Sequence, residues 1–311
     1  MLSPVIVFAY NRLEMLQSTL RALEENTLAK ETELFLFADG AKDRQEAAAV
    51  GAVADFLRQY AVGAPFKRVT LEIHEEHRGL AKSVIAGVSR VIEQYGRVIV
   101  VEDDLVSSPD FLRYMNGALD YYEKNSQIWS VSGYSPHLKA LEKYPADVYF
   151  YYRASSWGWG TWADRWKTVD WEVSDYPALK DDKEKIKAFN RGGDDMFEML
   201  SRQKAGEIDS WAIRWCYAQF KKGQYCVYPR ESRIKNMGCR SGTHFHDEWE
   251  DRYDTEIVRE PKECRFEEPA LNRRVVKNFQ KLYSKSLYAK ICRHGRKACR
   301  KLMKRLHLAG G

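Results

Sequence analysis

Two hydrophobic patterns alternate through the first hundred residues. Unbroken apolar runs, rich in β-branched and aromatic residues, occupy positions 4–10 (PVIVFAY), 33–40 (ELFLFADG), 68–76 (RVTLEIHEE) and 97–104 (RVIVVEDD) and predict strands. The stretches between them are amphipathic. Leu13, Leu16, Leu20 and Leu23 recur at helical spacing, and positions 43–60 and 79–96 also read as helices, the last stopped by Gly96. Strand–helix alternation of this kind predicts a mainly parallel sheet covered on both faces. Ligands of such sheets bind where the strands end. Four of those endings carry informative polar residues: Asn11 and Arg12, Asp39, positions 74–77, and the triplet Glu102, Asp103 and Asp104.

The second half has another texture. Positions 144–176 are dense in aromatics, and the clear alternation stops. A helix is expected around 180–203 and another over 207–223, followed by a strand at 225–234 and a loop rich in Gly, Ser and His at 236–249. Neither a repeat nor a low-complexity linker separates the halves, so they read as one fused unit.

Composition narrows the class. With 44% apolar and 30% charged residues, the 311-residue chain is that of a soluble globular protein. No stretch approaches the ~20 apolar residues of a membrane span, and no basic region precedes a long apolar one at the start, so neither an anchor nor a secretory signal is expected. The cysteines (216, 226, 239, 264, 292 and 299) form no CxxC pair, which predicts free thiols in a reducing cytoplasm. The net charge of +6 conceals an asymmetry: positions 270–311 hold thirteen Lys and Arg and no acid, leaving 37 basic against 44 acidic residues elsewhere. Val275, Phe279, Leu282 and Leu287 follow a helical spacing within that tail. A basic amphipathic segment suits an anionic membrane surface; a helix packed on the acidic body is the alternative. A nucleic-acid role is not expected, since stacking aromatics are sparse and no recognised motif is present.

Three carboxylates at the end of a buried strand require a positive partner, unless they form a solvated turn. A hard divalent cation, Mn²⁺ or Mg²⁺, takes oxygen ligands and shares its shell with phosphates. The following SSPDF reads as a helix start with a serine cap.

At this point the sequence resembles a known family. VVEDDLVSSPDFLRYM is similar to the acidic metal motif of nucleotide-sugar glycosyltransferases with the GT-A fold, and more closely to the N-acetylglucosaminyltransferase I group. VIVFAYNR, FADG, EEHRGLAKS, IWSVSGYS, WGWGTWADRW and EIDSW extend the likeness, in order, over roughly residues 3–245. The resemblance implies a GT-A-type Rossmann-like α/β fold, with a nucleotide-sugar-binding half (1–135), an acceptor-binding and catalytic half (136–269) and the basic tail (270–311). It implies that Arg12, Asp39 and His77 hold the uridine diphosphate, that Glu102 and Asp103 touch the donor sugar or ribose, and that Asp104 ligates the metal. Asp209 in EIDSW matches the catalytic base of an inverting transfer, with Glu207 in reserve; a helix N-cap is the other reading of Asp209.

Further donor contacts are expected around these. Trp157 and Trp159 could stack on a sugar or belong to an aromatic core with Trp162 and Trp166. The basic loop with Arg230, Arg233, Lys235, Arg240 and His244 could close over the diphosphate or be solvated. The expectation is a metal-dependent inverting transferase using a UDP-sugar, UDP-GlcNAc first, with a glycan or lipid-linked acceptor. The setting expected is bacterial surface-polysaccharide assembly at the inner face of the cell membrane. The rivals are a sugar nucleotidyltransferase, a phosphohydrolase, and a sugar- or lipid-binding protein without activity. No glycine-rich loop follows the first strand, and the triplet is contiguous rather than a DxD pair, which counts against the two enzymes.

Overall fold

The structure, a computed structural model, describes residues 2–238 and 253–284. Its first part is the predicted alternation: β1 (Val5–Ala9), α1 (Leu13–Glu24), β2 (Glu33–Ala38), α2 (Ala47–Gly63), β3 (Arg68–Ile73), α3 (Leu80–Tyr95) and β4 (Arg97–Glu102). Gly96 ends α3 at φ +76°, a left-handed position that costs glycine nothing. Beyond β4 come β5 (Leu105–Ser107), α4 (Phe111–Tyr122), β6 (Ile128–Ser132), β7 (Val148–Tyr151) and β8 (Trp159–Trp162). Helices α5 (Ala163–Trp166), α6 (Tyr176–Leu179), α7 (Lys183–Phe189), α8 (Met196–Lys204) and α9 (Trp211–Lys222) follow. The described chain ends with β9 (Tyr225–Pro229), β10 (Ile234–Asn236) and α10 (Arg273–Leu282).

Among the described residues the strands build an eight-stranded sheet in the order β3-β2-β1-β4-β8-β6-β9-β7, and β5 pairs with β10 in a separate two-stranded sheet. The first four strands are parallel, and β8 runs antiparallel between β4 and β6. Strand side chains alternate between faces, so each central strand feeds two cores. Val5, Val7, Ile99 and Val101 pack with α1 and α4, while Ile6, Phe8, Val98 and Val100 pack with α3 and α9. The sheet passes residue 135 unbroken: β6 and β8 lie on either side of that position and are paired, so the two predicted halves share one sheet.

Three local expectations change. The helix expected over 180–203 is two helices, interrupted by a turn at Asn190–Gly192 and by Gly193 at φ +147°. The residue before α4 is Asp110, not a serine; Ser108 instead donates its hydroxyl to Asp110 Oδ1 at 2.6 Å. The start of the basic tail belongs to the body. Val275 and Phe279, read as a membrane-facing stripe, are buried among Tyr149, Tyr151, Tyr228 and Leu138. Arg153 fastens this end: its guanidinium makes a bidentate pair with Asp195 (2.8 and 2.9 Å) and lies 4.0 Å from the centre of the Tyr283 ring. The rest of the tail, 285–311, lies outside the described residues.

Candidate active site

Because β1 to β4 are parallel, their carboxyl ends share one edge of the sheet. In register, Phe8 lies beside Phe37 and Glu102, and Ala38 beside Ile73. The residues just past these ends are Tyr10 to Arg12, Asp39, positions 74–77 and the acidic triplet. The structure therefore brings Arg12, Asp39, His77, Glu102, Asp103 and Asp104 to one edge.

Arg12 is the centre of the acidic group. Its guanidinium donates from Nη2 to Asp103 Oδ1 and from Nη1 to Asp104 Oδ2, the latter at 2.9 Å. The Arg12 side chain is 32% exposed, against 4% for Asp103 and 11% for Asp104. The Tyr10 amide donates to Asp103 Oδ2 at 3.3 Å, and Thr19 donates its hydroxyl to the Asp103 carbonyl at 2.9 Å. Asp104 is fixed from the far end of the chain. Leu105 pairs with Asn236 across β5 and β10, and the Met237 amide donates to the Asp104 carbonyl at 2.8 Å. The backbone of Gly238 then passes so close that a Cβ there would lie 2.2 Å from Asp104 Oδ2 and 3.0 Å from Arg12 Nη1. Only glycine permits that approach.

Charge in this cluster is out of balance. Burial, and then repulsion from Asp104 and Asp103, pushes the Glu102 carboxyl up to about 8, with Arg12 alone pulling the other way. Burial also raises Asp103, despite its pairing with Arg12. Burial by itself would lower Arg12, but Asp103 and Asp104 more than offset it and hold the guanidinium above its ordinary value. With Glu102 held largely protonated at neutral pH, Asp103 and Asp104 against one guanidinium leave one negative charge in excess, and a hard divalent cation would fit it and draw Glu102 into its charged form. Among the described residues no three His, Cys, Asp or Glu side chains converge on one point. A protein-only cage is therefore not formed by them, and Asp104 fits a cation that completes its shell with phosphate oxygens and water.

The neighbouring strand ends make a second polar cluster. Asp39 is 7% exposed and accepts from the backbone amides of Arg78 (2.9 Å) and Gly79 (2.8 Å), at the start of α3. His77 Nδ1 lies 3.0 Å from both Asp39 Oδ2 and the Gly40 carbonyl, two acceptors that place its proton on Nδ1. The Tyr10 ring sits 5.3 Å from that of His77, and its hydroxyl donates to Glu46 while accepting from the Lys42 amide at 3.1 Å. Tyr10 and Glu46 were missed from sequence. Tyr10 was counted as the end of an apolar run, and Glu46 stands before α2 with no motif around it.

The second-half expectations separate. Trp159 is fully buried, stacked on Trp166 and Trp211, which removes it from the expected donor contacts and places it in the core. Trp157 is half-buried, edge-on to Tyr134 at 4.6 Å and to Tyr253 at 6.0 Å. Arg233 is buried beside Asp110 (3.6 Å) and over the Tyr114 ring, Arg230 donates to the Tyr144 carbonyl at 3.0 Å, and Lys235 pairs with Asp254 at 3.1 Å. These three cations thus hold structure together. Arg240 and His244 lie outside the described residues.

Asp209 is not the helix cap. Ser210 caps α9, its hydroxyl accepting from the Ile213 amide at 3.3 Å. Asp209 is 59% exposed and pairs with Arg214 at 3.2 Å; Glu207 is equally exposed and pairs with Arg202 at 3.3 Å. The start of α9 is tied to the site edge through tryptophans: Trp211 stacks on Trp159, and Trp159 pairs in register with Val100, two residues before Glu102.

A largely parallel sheet that gathers polar residues and an acidic triplet at the carboxyl edge of its parallel strands, then continues into antiparallel strands, is the GT-A architecture of glycosyltransferases. The chain belongs to glycosyl transferase family 2, whose model matches residues 5–193. Among solved structures, residues 1–349 of TarS from S. aureus share 11% identity, with 76% of this chain and 61% of that one covered and a TM-score of 0.45. The mannosyltransferase PcManGT from Pyrobaculum calidifontis, solved with GDP-Man and Mn²⁺, shares 13% identity, with 72% and 70% covered and a TM-score of 0.41. The chain spans 21% of the longer TarS structure. No curated protein matches it. Family membership sets aside the nucleotidyltransferase and phosphohydrolase readings.

Proposed function

We propose that this protein is a metal-dependent inverting glycosyltransferase that uses a UDP-sugar. The observation that carries the reading is the convergence of Arg12, Asp39, His77 and the acidic triplet on one strand edge. Asp39 and the Nε2 of His77 offer acceptors suited to the N–H and hydroxyl groups of a nucleoside, while Arg12 offers a fork suited to phosphate. Glu102 and Asp103 lie beside the position a donor sugar or ribose would take. Mn²⁺ or Mg²⁺ at Asp104 would supply Lewis-acid stabilisation of the departing diphosphate. Asp209 would take the proton of the acceptor hydroxyl as it attacks, the one carboxylate an inverting transfer needs. Trp157 is the remaining aromatic candidate for sugar contact, and Arg240 and His244 remain candidates for the diphosphate.

The resemblance of the VVEDDLVSSPDF motif to that of the N-acetylglucosaminyltransferase I group is the ground for UDP-GlcNAc as the first donor to try. A glycan or lipid-linked acceptor, in bacterial surface-polysaccharide assembly, suits an enzyme with a basic tail; among the described residues no helix is long and apolar enough to cross a membrane. Attachment of positions 285–311 to an anionic inner leaflet would hold it at such an acceptor. Incubation with a panel of UDP-sugars, with and without Mn²⁺, tests the reading. Metal-dependent UDP release from one of them is expected, and no release from any donor with Mn²⁺, or with Mg²⁺ in its place, would overturn it.

A further inference from the structure

We propose that Arg12 is the resident cation of the acidic cluster and is exchanged for the divalent metal when the donor diphosphate arrives, so that metal and nucleotide are taken up together. The inference rests on the metal and nucleotide of the proposed function and adds an order of events at that site.

Three observations carry it. First, Arg12 already occupies the groups a metal would need, pairing with Asp103 and, at 2.9 Å, with Asp104 Oδ2. A second cation bound to Asp104 would stand within a few ångströms of the guanidinium, where like charges at partial burial repel strongly. Second, there is little room to share Asp104. Gly238 closes one side so tightly that even a Cβ would displace the Asp104 carboxylate or the backbone, and the Met237 amide pins the Asp104 backbone. Third, Arg12 can leave while the aspartates cannot. Its side chain is a third exposed, and the residue occupies the cap position of α1 without a side-chain cap bond, so its departure costs the helix nothing. Asp103 is held by the Tyr10 amide and Thr19, which stay in place.

The diphosphate supplies the reason to move. A guanidinium fork released from two carboxylates finds an equivalent double acceptor in phosphate oxygens. Without nucleotide it has no such partner, and leaving would abandon two buried aspartates. Arg12 therefore keeps the cluster compensated in the free protein and disfavours metal binding until the donor is present.

Mn²⁺ binding, followed by the electron paramagnetic resonance signal of free Mn²⁺ with and without saturating UDP, tests the exchange without turnover. Wild-type protein should bind Mn²⁺ weakly alone and at least about tenfold more tightly with UDP. Arg12→Met should bind Mn²⁺ alone about tenfold more tightly than wild type, as loss of a nearby cation predicts, and should bind UDP less well. An Arg12→Met affinity for Mn²⁺ alone equal to or below wild type overturns the exchange. Should that variant not fold, Arg12→Lys decides: it keeps one charge but not the fork, so its affinity for Mn²⁺ alone should rise by a smaller factor, and no rise overturns the exchange. Failure of wild type to bind Mn²⁺ even with UDP overturns the metal reading itself, and this inference with it.

Discussion

The indole of Trp159 lies 5.1 Å from that of Trp211, stacked on it at an angle of 30°, and joins the first turn of α9 to the strand that leads into the acidic triplet. Asp209 stands two residues before Trp211, on the exposed segment that leads into this ring-anchored first turn. Asp209→Asn should leave UDP binding unchanged and cut transfer by about 10²–10⁴-fold, the usual weight of general-base catalysis. Glu207→Gln should change transfer little. Initial rates at saturating donor, with UDP affinity measured in parallel, check both, and the reverse ranking would make Glu207 the base.

Removing the carboxylate proposed to hold the metal should separate metal binding from folding. Asp104→Ala is expected to abolish the Mn²⁺-dependent part of UDP affinity, and chelation with EDTA should do the same to wild type. Isothermal titration with UDP, with and without Mn²⁺, reads both effects. Metal-dependent affinity undiminished in Asp104→Ala would remove that residue from the ligand set.

Gly238→Ala offers a finer probe. A Cβ would lie 2.2 Å from Asp104 Oδ2, so the carboxylate or the backbone must shift. A tenfold or greater loss of Mn²⁺-dependent UDP affinity is expected, by about 1.4 kcal/mol or more, with a circular-dichroism spectrum like wild type. Equal affinity would mean that the backbone yields freely at this point.

The start of the basic tail is built into the body. Phe279→Ala should destabilise the protein by about 3 kcal/mol, the cost of emptying a buried aromatic site, measured by denaturant unfolding. Removing positions 285–311 should spare stability and activity on a soluble acceptor but reduce sedimentation with anionic vesicles. Sedimentation unchanged by that deletion would detach membrane binding from the tail.

The reach of the sequence followed its periodicities. Strands β1 to β4 and helices α1 to α3 were legible because unbroken apolar runs and 3.6-residue spacing are local signals. Arg12, Asp39, His77 and the triplet were legible because parallel strands must end on one edge. Trp159 was not. A glycine-rich setting reads as a loop, while the antiparallel pairing of β8 with both β4 and β6 that buries it is a long-range fact. The same holds for Val275 and Phe279: an amphipathic stripe announces that something covers it, and only the tyrosines of β7 and β9 say what. The pairing of Arg12 with two aspartates was also invisible, since the residue was assigned to ligand and not to its own chain.

The pairing of β5 with β10 bears on biosynthesis. Asp104 emerges early from the ribosome, yet the segment that fixes it, Ile234 to Gly238, is made after most of the body. Non-local pairing of this sort is slow and waits for its last strand. A nascent or truncated chain lacking β10 would carry the whole acidic triplet and Arg12 but not the strand that seats them. The surroundings of the triplet are thus complete only once the chain has been synthesised through β10.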